Sequence, residues 1–215
     1  MTTETLAMAA GVLLLTAVMQ LWRRSVSGAI TLLVVQGAAL AGLAATLAAV
    51  DGDTELYLVA ALVLLVKAGV LPAVLSRTAT GTATSREDTP RVAPTTGLLL
   101  AAGLTTVAYL AAQPVAAARP AAAAQTVPVG IALVLIGFLI LLTRRQAVSQ
   151  LVGFIVLDNG IAAVALLAAG GVPLVVELGV MLDVVLVVLV LRVLAGRMMR
   201  AFGGSDLAEL TELRD

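Results

Sequence analysis

Carboxylates standing inside long apolar runs constrain this chain more than any other feature. Residues 144–197 read as two membrane-spanning helices joined by a Gly-Gly-Val-Pro turn, and they place Asp158, Glu177 and Asp183 within otherwise apolar sequence. A charge at the bilayer centre costs roughly 2.5–3.5 kcal/mol even on the more lenient insertion scale, so such residues are rare and usually functional.

The composition agrees with a membrane setting. Of 215 residues, 61% are hydrophobic and only 12% are charged, with a mean hydropathy of +1.11. Soluble domains carry about 25% charged residues. The chain has no Cys and no His, so it lacks thiolate and imidazole ligands and is expected to hold no metal, cofactor or redox centre of its own. Net charge is zero and the basic residues are scattered pairs, which argues against nucleic acid as a partner. There is no phosphate-binding Gly-Lys loop and no nucleophile–base pair, which argues against an enzyme acting in isolation.

Windows of about 20 apolar residues, the length needed to cross about 30 Å of hydrocarbon as helix, predict an all-α polytopic protein. Seven spans are expected, at 5–22, 25–50, 55–75, 96–112, 127–143, 146–169 and 173–195. The first is preceded by Glu4 rather than Lys or Arg, and its apolar run exceeds that of a signal peptide, so it is read as retained. Residues 113–125 are Pro- and Ala-rich and are compatible with either a helical extension or a surface loop. The whole of 1–215 is expected to form a single membrane domain. Helices one to three fall in 1–75, a polar loop in 76–95, helix four and an outer loop in 96–125, helices five to seven in 126–197 and a tail in 198–215.

Orientation follows from Lys and Arg, which are retained on the cytoplasmic side. Arg23 and Arg24, then Arg77, Arg86 and Arg91, then Arg144 and Arg145 follow spans one, three and five, and Arg197, Arg200 and Arg214 follow span seven. The opposite side carries Arg119 with Asp51, Asp53 and Glu55. The expectation is an outside N-terminus and a cytoplasmic C-terminus, in the cytoplasmic (inner) membrane of a cell. Leu207, Leu210 and Leu213 recur at helical spacing in the tail, which fits either a short amphipathic helix or a frayed polar end.

Depth gathers the polar residues. At 1.5 Å of rise per residue, Gln36 lies about 16 Å from the nearest membrane face, Lys67 and Asp158 about 18 Å, and Asp183 about 15 Å. Glu177 lies about 6 Å from the outer face, at an exit position rather than a central one. Gln36, Asn159 and Gln150 are neutral hydrogen-bonding neighbours. Desolvation favours the neutral forms of amine and carboxylate while mutual pairing favours the charged ones, so protonation follows local water and charge. Lys67, Asp158, Glu177 and Asp183 are therefore proton-relay candidates. The competing reading is a static buried pair, Lys67 with Asp158 or Asp183, that holds helices in register.

Other features read as structural. Pro72 is expected to kink or end span three. Gly69, Gly153, Gly160 and Gly179 are expected at close helix contacts. Arg192 is expected to snorkel, and Trp22 and Tyr57 are placed at the interfaces.

The run from Gln150 to Gly160, QLVGFIVLDNG, followed by VPLVVELGVMLDV with Glu177 and Asp183, resembles the hydrogenase-4 component E family and its pattern of an acid before Asn-Gly and then P-L-x-x-E-x-G-x-x-x-D. Lys67 with Pro72 and the Asp-Leu-x-x-Leu tail resemble it too. Asp158 stands where Glu is the usual family residue, one methylene shorter. Through spans five to seven the family is similar to the small K subunit of bacterial complex I (NADH-quinone oxidoreductase chain 4L) and to the C subunit of multisubunit sodium/proton antiporters. Those proteins carry a membrane Glu where this chain has Ile155; Asp158 follows one helical turn later on the same face.

The resemblance implies a non-catalytic subunit in the membrane arm of a group 4 nickel–iron hydrogenase or formate-hydrogenlyase-type complex. Its partners would be antiporter-like membrane subunits and a peripheral redox module that carries the nickel–iron and iron–sulfur centres. Two other readings compete: a subunit of a cation/proton antiporter with no redox partner, and a structural membrane scaffold.

Overall fold

The computed structural model describes residues 2–23, 25–78, 92–118, 122–145 and 147–169, and these are helical almost throughout. Helix α1 spans Thr2–Trp22, α2 Val26–Asp51, and α3 Thr54–Val63. A π-helical segment, Leu64–Val70, continues α3 and leads into α4, Leu71–Thr78. Helices α5, α6 and α7 cover Pro94–Ala118, Ala122–Thr143 and Ala147–Ala169. Without water to satisfy peptide groups, an apolar segment in lipid must close its hydrogen bonds internally, which makes helix the outcome for each such run.

Six of the rods are long and apolar enough to cross a membrane, with α3, the π segment and α4 counting as one continuous rod, Thr54–Ser76. They correspond to the first six expected spans. The seventh, at 173–195, and the tail lie outside the described residues. Residues 113–118 extend α5 through Pro114, and α6 begins at Ala122, so the described part of the Pro- and Ala-rich stretch is helical.

Large apolar side chains cover the outer surface, among them Met8, Leu15, Leu58, Leu65, Leu99 and Phe138. Lipid offers no hydrophobic penalty there, so helix association rests on close packing instead. Small residues supply it. A Cβ added to Gly153 would come within 2.9 Å of Ile140 Cγ2 and Leu141 N, and one added to Gly160 within 2.9 Å of Gly130 O. One at Gly137 would overlap the Leu157 backbone. These glycines let α6 and α7 meet along their length as an antiparallel pair. Gly69, expected to act in the same way, has nothing within 4 Å of an added Cβ. The tight approach at that level falls on the opposing helix, at Gly37 of α2.

Helix α2 packs against α1, the third rod and α7, which puts it beside the elements that carry Lys67, Asp158 and Asn159. It reverses into α3 over a short turn. Gly52 takes the left-handed conformation (φ 68°), its N–H bonding Ala48 O, and Asp53 then caps α3 by accepting from Glu55 N at 2.8 Å.

Candidate functional site

Lys67 lies in the π-helical segment, where Leu71 N–H bonds Val66 O, five residues back. The extra residue per turn widens the helix, and Pro72, which has no N–H to donate, follows directly. Pro72 therefore does not end the rod; the chain continues as helix to Thr78. π-helical turns occur disproportionately at functional sites. Against this turn packs Gly37, whose added Cβ would sit 2.7 Å from the Lys67 carbonyl carbon and 2.8 Å from Ala68 N. Only a glycine lets α2 approach this backbone.

Lys67, 2% exposed, reaches α7 with its side chain. Its Nζ donates to Asp158 Oδ2 at 2.6 Å and to Asn159 Oδ1 at 2.9 Å. Asn159 Nδ2 donates to Gln36 Oε1 at 3.0 Å, and Gln36 Nε2 donates to the Leu13 carbonyl of α1 at 3.3 Å. An ion pair on two rods is thus extended by two amides onto two more. Amides suit this chain of bonds because each carries both an acceptor and a donor, so Asn159 and Gln36 pass it on without adding charge.

The structure brings Gln36, Lys67, Asp158 and Asn159 together. Gln150 sits apart, its Nε2 donating to Arg144 O at 3.1 Å near the α6–α7 turn. Glu177 and Asp183 lie outside the described residues.

Three buried polar residues were not singled out by sequence reasoning. Arg144 donates from Nη2 to the carbonyls of Gln20, Leu21 and Arg23, at 2.8, 3.1 and 2.8 Å. It therefore supplies donors to the carbonyls that α1 leaves open at its C-terminus, where a cation is also favoured by the helix dipole. In the sequence it registers only as an orienting charge. Gln20, 2% exposed, donates from Nε2 to Ala29 O at 3.0 Å. Thr16, also buried, donates to Val12 O and Leu13 O, both at 2.9 Å. The available signal was spacing: Thr16 and Gln20 lie four apart on one face of α1.

An all-helical, multi-pass membrane architecture with an ion pair enclosed among its rods is the class that this fold and site define. No family model matches the chain, and no solved structure matches it. It is 46% identical over 208 residues to the uncharacterized protein Rv0085 of Mycobacterium tuberculosis, covering 96% of this chain and 94% of that one. The chain belongs to the family of that mycobacterial protein. More distantly, it is 24% identical over 179 residues to hydrogenase-4 component E of Escherichia coli, covering 83% of each chain, with the same figures for the Shigella flexneri protein. This distant homology supports the resemblance drawn from residues 150–160.

Proposed function

We propose that the chain is a non-catalytic integral membrane subunit of a hydrogenase-4 or formate-hydrogenlyase-type complex, in which the Lys67–Asp158 pair takes part in moving protons or another cation, or in transmitting coupling. The observation that carries this reading is the pair itself. A lysine and an aspartate 2.6 Å apart, enclosed between the third rod and α7, are an expensive way to join two helices that glycine packing could join alone. The position is better explained by a charge that the protein uses. The distant homology to hydrogenase-4 component E supplies the setting.

In this reading Lys67 and Asp158 exchange charge with neighbouring groups, Asn159 and Gln36 orient them, and Glu177 and Asp183 continue the path. Gln150 supports it from the Arg-bearing end. The nickel–iron and iron–sulfur centres belong to a peripheral module, with antiporter-like subunits as membrane neighbours, in the cytoplasmic membrane.

Two measurements test this. Gentle detergent purification from native membranes, with mass spectrometry and metal analysis, is expected to recover a hydrogenase-like large subunit with nickel and iron. Recovery of antiporter-like proteins alone, without metal, would move the chain to an antiporter complex. Asp158→Asn keeps an acceptor for Lys67 and is expected to assemble while losing redox-linked proton movement in vesicles. A scaffold would keep that movement.

A further inference from the structure

Helix α1 carries a second set of buried polar groups, and they lead from one membrane face toward the ion pair. At the end where α1 stops and α2 starts, Gln20, Arg23, Ser25, Arg144 and Ser149 line a small cavity together with apolar residues of α2, α6 and α7. About 10 Å³ of it is open to the centre of a water molecule, about what a single water needs. Gln20 lines this cavity, and its Oε1, buried, has no hydrogen-bond partner among the described residues. A buried amide oxygen left bare costs about 1–3 kcal/mol. The oxygen requires a donor, which a water moving in from the adjoining cavity would supply and a carboxylate would not.

One helical turn deeper, about 6 Å along the axis, lies Thr16. Its hydroxyl and the Gln36 amide both donate to the same carbonyl, that of Leu13. From Gln36 the hydrogen bonds run through Asn159 to Lys67 and Asp158. Polar groups therefore follow one another from the cavity to the pair along the seam between α1 and α2, with lipid-facing apolar residues such as Leu15 beside them.

We propose that water enters at the Gln20 cavity, from the membrane face that bears Arg23 and Arg144, and reaches the Lys67–Asp158 pair along the Thr16–Gln36 seam. The assignment rests on the proposed function only for the use to which the water is put; the hydration itself is a separate property. It makes Gln20 and Thr16 positioning residues for solvent, and it gives the buried pair a side from which it exchanges protons.

The absence of Cys from the chain provides the test. In full-length protein carrying Thr16→Cys as its one cysteine, in sealed vesicles of either orientation, modification by Ag⁺, an ion of nearly the size of water, is read as protection from later alkylation. The expected result is reaction from the Arg-bearing face roughly ten times faster than at lipid-facing Leu15→Cys, a factor that corresponds to about 1.4 kcal/mol, slowed about fivefold or more by adding Gln20→Leu. Rates equal to that of Leu15→Cys, or reaction from the opposite face alone, would overturn the proposal. Should Thr16→Cys fail to reach the membrane, radiolytic footprinting of the unsubstituted protein decides. Ile140 and Val152 are buried but line the cavity, and they are expected to oxidise well above the buried Leu133 and Ile136; equal rates mean a dry cavity and sink the idea. Neither readout uses redox coupling, so a dry seam leaves the Asp158→Asn test standing, and intact coupling in Asp158→Asn leaves the hydration result standing.

Discussion

Lys67 Nζ stands 2.6 Å from Asp158 Oδ2 across 91 residues of sequence, joining a π-helical turn of the third rod to the middle of α7. The long lysine side chain spans the gap, and the shorter aspartate stays close to its own helix. Both side chains are nearly closed off, at 1% and 9% exposure.

Removing one partner should harm the protein more than removing both. Lys67→Met or Asp158→Ala alone leaves a buried charge uncompensated, and a loss of about 3–5 kcal/mol is expected for each. Lys67→Met combined with Asp158→Leu is expected to recover most of it. Thermal unfolding in one detergent, arranged as a double-mutant cycle, measures the coupling; additive losses would show that the pair contributes nothing as a pair.

Gly37→Ala tests the contact between α2 and the π-helical turn. The added methyl would fall 2.7 Å from backbone rather than from a movable side chain, so a loss of about 1–3 kcal/mol is expected. Gly42→Ala, on the same helix with nothing within 4 Å, is expected to be neutral or to stabilise by up to about 1 kcal/mol. Paired melting curves of the two variants provide the comparison.

Arg144→Met should behave as a severe change. A methionine has no donor to offer the three carbonyls that Nη2 meets at the end of α1. Each lost bond to a charged donor contributes about 1.5–3 kcal/mol. Limited proteolysis at the α1–α2 junction should accelerate in the variant; an unchanged cleavage rate would count against the capping role.

Gly137→Ala should separate α6 from α7, because the new Cβ would overlap the Leu157 backbone. Displacing α7 carries Asp158 and Asn159 with it. The expected outcome is a melting loss of about 1–3 kcal/mol together with impaired coupling, whereas Gly103→Ala, with open space around it, should change neither.

Much of this was legible in the chain. The first six rods fall where apolar windows placed them, because crossing lipid is a demand on local composition and length. The grouping of Gln36, Lys67 and Asp158 near one depth follows from counting residues along straight helices. Pro72 and Gly69 show where that reasoning stops. A proline was expected to end or kink its helix; it does not end it, since helix runs on to Thr78, and the close helix approach uses Gly37 instead of Gly69.

The sequence by itself determined the membrane class and the six rods described here, since hydropathy and length are properties of the segment alone. Tertiary structure decided that Lys67 meets Asp158 directly, that Asn159 and Gln36 extend the pair toward α1, that Gln150 does not join them, and that Arg144 closes the end of α1. Those outcomes depend on how each helix is rotated about its axis and which helix lies beside it. Rotation and neighbourhood are set by the packing of glycines such as Gly37, Gly137 and Gly160 against partners far away in the chain, and no local window contains them.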